Sequence, residues 1–247
     1  MKNDTSKKKQ LADVLEKLKK EKNYFSYEEI KSLLKKAKIE ITLSSLKSYV
    51  FELVKNKVIF DAGKGWYSSI EKPFELNTNP VKSIIKIIKK EFPLLDFSCW
   101  STEQLNSFTH HLLSKFIIFV YTDSDYISNP AEILRNCGYN VYENPNKAEI
   151  EKSFRITEKT VVLLPSIKKQ PQANNNCAPI EKILIDFLME NRHYKIMENS
   201  EAEAVVVKAV NSDRVNISKV FSYAKERKFP AFSSTNYFRL NEKGGNG

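Results

Sequence analysis

The stretch from Lys38 to Tyr67, KIEITLSSLKSYVFELVKNKVIFDAGKGWY, constrains the fold more than any other. Leu43, Leu46, Val50, Leu53 and Val54 recur at helical spacing and predict one apolar face. Ser44, Ser45, Lys47, Ser48 and Lys55 make the opposite face. Thr42 is placed to cap this helix, because its hydroxyl can accept an orphan backbone N–H of the first turn. Val58, Ile59 and Phe60 form a short β-prone run. Asp61-Ala-Gly-Lys-Gly65 supplies turn chemistry, with two glycines free to take positive φ, and Trp66 and Tyr67 begin a return strand. A groove-sized helix with a small polar outer face, followed by a hairpin with a lysine near its tip, is the pattern of a recognition helix and wing. Any amphipathic helix beside a hairpin shows the same periodicity, so the residues before it carry weight.

Residues 1–9 are polar and are expected to fray. A first helix follows, with Leu11, Val14, Leu15 and Leu18 as its buried stripe. Lys17, Lys19, Lys20 and Lys22 crowd its end, where cations suit the helix dipole. Ser26-Tyr-Glu-Glu29 has the spacing of a capping box and predicts the start of a second helix, with Phe25 as a staple. Tyr27, Ile30, Leu33, Leu34 and Ala37 form its core face, and Lys38 to Ile41 is a short extended link. Three helices with stripes of this size cannot each bury their faces alone, whereas packed together they make one small core that the hairpin closes. This is the order of a winged helix-turn-helix. In that reading Thr42, Ser44, Ser45, Lys47, Ser48 and Tyr49 meet a DNA major groove, and Lys57 and Lys64 meet phosphates. Phosphate contacts set affinity and salt dependence, and base-edge contacts set sequence preference. A winged helix used only for protein contact would look the same.

The 247 residues allow two domains, and an apolar content of 41% is enough for real cores. The formal net charge is +10. Residues 1–79 hold 17 lysines and 11 acids, and residues 80–247 hold 23 basic and 19 acidic residues, so the smaller part carries the larger excess. That asymmetry favours a polyanion partner for the N-terminal part. No run is long and apolar enough to span a membrane. The basic N-terminus is not followed by an apolar segment, so no secretory signal is read there. Cys99, Cys137 and Cys177 are widely spaced and odd in number, which argues against a disulfide framework and a zinc site. His110 and His111 are adjacent and His193 is remote, so no metal site and no cofactor are expected. A reducing cytoplasm is the expected compartment.

Ser68 to Asn79 is polar, contains Pro73 and reads as a linker. Beyond it, strand and helix signals alternate. Val81, Ile84, Ile85 and Ile88 predict a helix; Leu94 to Phe97 a short strand; Ser101 to about Leu113 a helix; Phe116 to Tyr121 a buried strand. Pro130 to Cys137 predicts a helix ended by Gly138, Tyr139 to Tyr142 a strand, Ala148 to Phe154 a short helix and Thr160 to Leu164 a second buried strand. Such alternation argues for an α/β sheet. Pro165 to Pro179 is a long polar loop, mobile or functional. Helices are then predicted from Ile180, over Glu201 to Val210 and over Ile217 to Arg227. The overall class is α/β (α+β): a winged helix-turn-helix over residues 1–70, a linker over 71–79, a larger mixed α/β domain over 80–240, and a disordered tail over 241–247.

Catalytic constellations are not found. Six glycines, three of them in the tail, leave no phosphate-binding loop, and no Ser, His and Asp set has recognisable context. Asp123 and Asp125 end a strand and could hold a metal, but no third carboxylate accompanies them at sensible spacing, so they read as a solvated turn. Glu181 and Lys182 are neighbours on a helix and point in different directions, unlike the alternating acid and lysine of a nuclease strand.

Three segments bear a resemblance to a known family. They are Trp100-Ser-Thr-Glu-Gln-Leu-Asn106 with His110 downstream, Pro179-Ile-Glu-Lys-Ile-Leu-Ile-Asp186, and Ser222-Tyr-Ala-Lys-Glu-Arg227. Behind a winged helix, their order and spacing resemble the AbiEi antitoxins of AbiE-type abortive-infection systems. The resemblance implies autorepression through inverted repeats in the protein's own promoter. It also implies a C-terminal domain that counteracts a nucleotidyltransferase toxin without forming a stable complex with it. It points to Trp100, Ser101, Thr102, Glu181, Lys182, Asp186, Tyr223 and Arg227 as motif residues of that domain, and to no catalytic residue. Core packing and helix starts are the competing role for these residues. The rival readings are an interaction protein that binds the toxin or another protein directly, and a metal-dependent nuclease or nucleotidyltransferase that uses Asp123.

Overall fold

A computed structural model describes residues 2–110 and 112–229, with side chains from residue 7 onward. The chain is mixed α/β, as the alternation predicts, with two separate sheets. Its contacts divide it into two units. One holds the residues up to Phe74 together with Val210–Phe221; the other holds Glu75–Ala209 together with Ser222–Phe229. The single stretch of 80–240 drawn from the sequence is therefore split, because residues 210–221 pack with the N-terminal elements. The expected tail over 241–247 lies outside the described residues, as does His111.

The first unit runs α1 (Lys2–Glu21), β1 (Tyr24–Ser26), α2 (Tyr27–Lys36), α3 (Leu43–Lys55), β2 (Phe60–Asp61) and β3 (Trp66–Ser68). Helix α1 begins at Lys2, not after a frayed stretch to residue 9. The capping box is present: Ser26 Oγ accepts from Glu29 N at 3.1 Å, and Glu29 Oε2 accepts from Ser26 N at 2.7 Å. Strand β1 escapes a periodicity reading because three residues are too few to show alternation. It pairs with β3, which pairs in turn with β2, all antiparallel, in the order β1-β3-β2. Leu11, Leu15, Phe25, Ile30, Leu46, Val50 and Ile59 form the core beneath.

Residues 210–221 complete this unit. The buried Tyr24 hydroxyl donates to the Val210 carbonyl at 3.0 Å and accepts from Val215 N at 2.9 Å. Arg214 donates to the carbonyls of Ile70 and Glu71 and stacks over Phe60. Trp66 packs on Phe221 with ring centroids 5.2 Å apart.

The second unit holds α4 (Lys82–Glu91), β4 (Phe97–Ser101), β5 (Ile117–Thr122), α5 (Ser128–Asn136), β6 (Asn140–Glu143), α6 (Lys147–Ser153), β7 (Thr160–Pro165) and α7 (Ile180–Tyr194). Helices α8 (Asn199–Ser212) and α9 (Ile217–Glu226) each contribute residues to both units. The sheet order is β4-β5-β7-β6, with β5, β7 and β6 parallel and β4 antiparallel to β5. One face packs Val120, Val161 and Leu163 against Ile84 and Ile88 of α4 and Leu134 of α5. The other face turns Phe119 and Tyr121 toward α7, where Phe119 meets Tyr194 with centroids 5.5 Å apart.

Strand β4 lies at Phe97–Ser101 rather than Leu94–Phe97, and all five of its residues are buried, so no alternation marks it. The helix expected to reach Leu113 is a 3₁₀ turn over Thr102–Phe108. Asn106 explains the early stop: its Oδ1 accepts from Leu113 N at 2.8 Å and gives the backbone a partner outside a helix. The polar loop after β7 is anchored at its far end. Cys99 N donates to Asn176 O at 2.8 Å and Ala178 N to Cys99 O at 2.9 Å, which covers the outer edge of β4. Among the described residues, no helix is long and apolar enough to cross a membrane.

Candidate functional site

Two places collect the residues singled out from the sequence. The first is α3 with the β2–β3 hairpin. Thr42 caps α3, its Oγ1 accepting from Ser45 N at 3.2 Å and donating to Ser45 Oγ at 2.9 Å, so both hydroxyls serve the cap. Ser44, Lys47 and Ser48 are exposed, Ser45 is half-buried, and Lys57 and Lys64 are exposed. Tyr49 corrects the sequence reading. It is 7% exposed and belongs to the core, because it follows Leu46 by three residues and precedes Val50, on the inward side of the helix. Leu43, expected inside, is 57% exposed, and Phe51 on the same helix is 69% exposed. The outer face of α3 is thus a mixed one, with a lysine and serines beside two large apolar side chains.

The hairpin tip is built on glycine. Gly63 has φ +107°, and a Cβ there would sit 2.2 Å from Asn216 Oδ1 and 2.3 Å from Ser218 Oγ. Lys64 N donates to Ser218 Oγ at 3.1 Å, so the backbone of the tip is held while the lysine side chain stays outside.

The second place lies on α7 and α9, over β5. Lys182, Asp186 and Glu190 succeed one another four residues apart on α7, and all three are buried. Lys182 Nζ donates to Asp186 Oδ2 at 2.5 Å and to the Tyr223 hydroxyl at 3.1 Å, and lies 3.5 Å from the centre of the Tyr121 ring. Tyr223 donates to Asp186 Oδ1 at 2.7 Å. Arg227 approaches the same Oδ1 with Nε at 3.4 Å and gives Nη2 to Glu190 Oε1 at 2.7 Å. Tyr121 donates to that Glu190 oxygen at 3.1 Å. Two cations and two carboxylates are therefore interlocked with two tyrosines, and an uncompensated member would be costly to bury.

Burial sets the titration of the group. It lowers the Lys182 pKa despite Asp186, and raises that of Glu190 despite Arg227. It holds the Tyr121 phenol protonated far above its usual range. Burial opposes the Arg227 charge, but Asp186, Tyr121, Tyr223 and Glu190 together more than offset it, and the arginine pKa rises.

The cluster opens on one side. Glu190 and Arg227 border a cavity of about 320 Å³ at the C-terminal ends of β5 and β7, with Asn144, Leu164, Met189 and His193 around it. Ligands in α/β folds collect at this end of the strands.

Of the eight motif residues, Lys182, Asp186, Tyr223 and Arg227 meet here. Glu181 does not: it lies on a neighbouring face of α7, half-buried. Trp100, Ser101 and Thr102 sit apart, at the end of β4. Trp100 stacks on Phe119 at 4.7 Å, Ser101 Oγ accepts from Glu103 N at 3.2 Å, and Thr102 Oγ1 accepts from Ile117 N at 3.0 Å, so these three shape the β4–β5 connection. The sequence reading missed Tyr121 and Glu190. Glu190 had a signal: it continues the i, i+4 polar row of Lys182 and Asp186, with Ile183 to Ile185 and Phe187 to Met189 apolar between them. Asp123 caps a short turn, its Oδ1 accepting from Asp125 N at 3.1 Å. Among the described residues, no three His, Cys, Asp or Glu side chains group as a metal site.

The fold and this cluster define a two-unit mixed α/β protein with a charged centre on its second sheet. Residues 45–231 match DUF6577, described as a family of unknown function, and the chain belongs to that family. No curated protein matches the chain.

Proposed function

We propose that the chain is a DNA-binding antitoxin. Its first unit acts as a winged helix-turn-helix on its own promoter and represses it, and its second unit counteracts a nucleotidyltransferase toxin without catalysis of its own. The observation that carries the DNA reading is α3: it follows α2 after a short turn, shows Ser44, Lys47 and Ser48 to solvent, and stands in sequence just before a glycine hairpin that exposes Lys64. The strand order β1-β3-β2 supports it. The antitoxin role rests on the AbiEi resemblance, and the cluster of Lys182, Asp186, Tyr223 and Arg227 supports treating two of the three motifs as one structural centre.

A mobility-shift titration against the DNA upstream of the gene tests the DNA reading. Lys47→Ala with Lys64→Ala should weaken binding and lower the slope of log affinity against log salt by about 2, since each lysine neutralises one phosphate. An unchanged slope and affinity would remove α3 and the hairpin from the interface. If a nucleotidyltransferase toxin is encoded beside the gene, coexpression of the two should restore growth without copurification of the two proteins.

A second reading, direct protein contact through α3, is favoured by the exposure of Leu43 and Phe51. Phe51→Ser discriminates: loss of growth rescue with DNA affinity intact would favour contact with the toxin.

A further inference from the structure

The cavity beside Glu190 and Arg227 has unspent hydrogen-bonding groups. Glu190 uses Oε1 for both Tyr121 and Arg227, and Oε2 makes no hydrogen bond among the described residues. Arg227 uses Nε and Nη2, and Nη1 likewise makes none. An unspent acceptor and an unspent donor thus belong to two residues that both line the cavity. Their side chains are only 8% and 12% exposed. The Asn144 amide at the rim offers a further donor and acceptor.

Most of the remaining wall is apolar, from Pro145, Leu164, Pro165, Ile167 and Met189, and the Tyr121 and His193 rings complete it. The volume of about 320 Å³ lies at the small end of ligand pockets, which run from about 300 to 1,000 Å³. Charge selects the ligand further. Lys182 and Arg227 are matched by Asp186 and Glu190, so the site has no surplus cation for a free phosphate or carboxylate. A flat, uncharged ring held between apolar walls, with a polar edge toward Glu190 and Arg227, satisfies both the walls and the unspent groups.

We propose that this pocket binds a neutral planar heterocycle of the nucleobase or nucleoside class, whose edge presents a donor to Glu190 Oε2 and an acceptor to Arg227 Nη1. The inference is independent of whether the first unit binds DNA.

Calorimetric titration of the full chain with guanosine, adenosine, cytidine, uridine and inorganic phosphate tests it. At least one nucleoside should bind, and phosphate should not. Glu190→Gln turns an acceptor into a donor and should weaken binding about tenfold or more. Ile167→Trp fills the cavity without touching the charged cluster and should abolish binding. Absence of binding by all four nucleosides at millimolar concentration would overturn the proposal. So would binding of phosphate in their place, or nucleoside affinity unchanged in Ile167→Trp. If Glu190→Gln fails to fold, the Ile167→Trp comparison decides.

Discussion

Three groups favour the Lys182 charge against its burial: Asp186 at 2.5 Å, the Tyr223 hydroxyl, and the Tyr121 ring face. Removing one side of a buried pair strands the other. Lys182→Met should therefore cost about 3–5 kcal/mol, while Lys182→Met with Asp186→Leu should cost much less, because both charges leave together. Urea denaturation of the two variants measures the difference, and equal losses would mean the pair is not the source. Glu190 carries a pH signature. Burial raises its pKa, so the folded chain keeps that proton to a higher pH than the unfolded chain. Between the two pKa values the folded state binds more protons, and stability falls as pH rises. Glu190→Gln removes this titration. Relative to the variant, the native protein should lose stability from the ordinary carboxylate range upward until the raised pKa is passed. Urea midpoints of both proteins along a pH series would show it, and parallel curves would refute it.

At the scale of elements, the β2–β3 hairpin depends on one residue. Gly63 takes φ +107°, and its missing Cβ leaves room for Asn216 and Ser218. Gly63→Ala should destabilise the first unit by roughly 2–4 kcal/mol through backbone strain and displacement of both side chains. Thermal unfolding reports it; a shift within error would mean the tip relaxes freely. Helix α3 is held by a different balance. Its Thr42 cap and its inward row of Leu46, Tyr49 and Val50 fix its orientation, while Ser44, Lys47, Ser48 and Phe51 are left outside. In the second unit, the polar loop that ends at Pro179 covers the edge of β4 through Asn176 and Ala178, so an unpaired strand edge is closed by the chain itself.

At the scale of the molecule, the first unit is assembled from distant parts of the chain. Tyr24 places its hydroxyl among Val210, Asp213 and Val215, and Arg214 clamps the backbone at Ile70 and Glu71. A fragment of residues 1–79 lacks all of these partners and leaves the buried Tyr24 hydroxyl without bonds to them. It should show no cooperative unfolding transition, whereas the full chain should. A sharp transition in the isolated fragment, by circular dichroism, would show that residues 210–221 are dispensable.

The elements with strong local signals were legible from the residues alone. The Ser26–Glu29 box, the Thr42 cap, the apolar runs of β5 and β7 and the glycines of the hairpin each act through neighbours a few positions away, so spacing reveals them. Four of the six residues of the charged centre were legible too, Lys182, Asp186, Tyr223 and Arg227, but only as separate motifs. The rest needed the fold. Tyr49 is inward because of the angular position it occupies against a core that other helices supply. Residues 210–221 join the first unit through hydrogen bonds spanning more than 180 positions, as from Tyr24 to Val210. Tyr121 and Glu190 become part of one charged centre because strand β5 lies under α7. Local sequence determines which segments curl or extend, since those forces act within a turn. Which faces are shared, and which charges meet, is decided by long-range packing, whose partners no periodicity records.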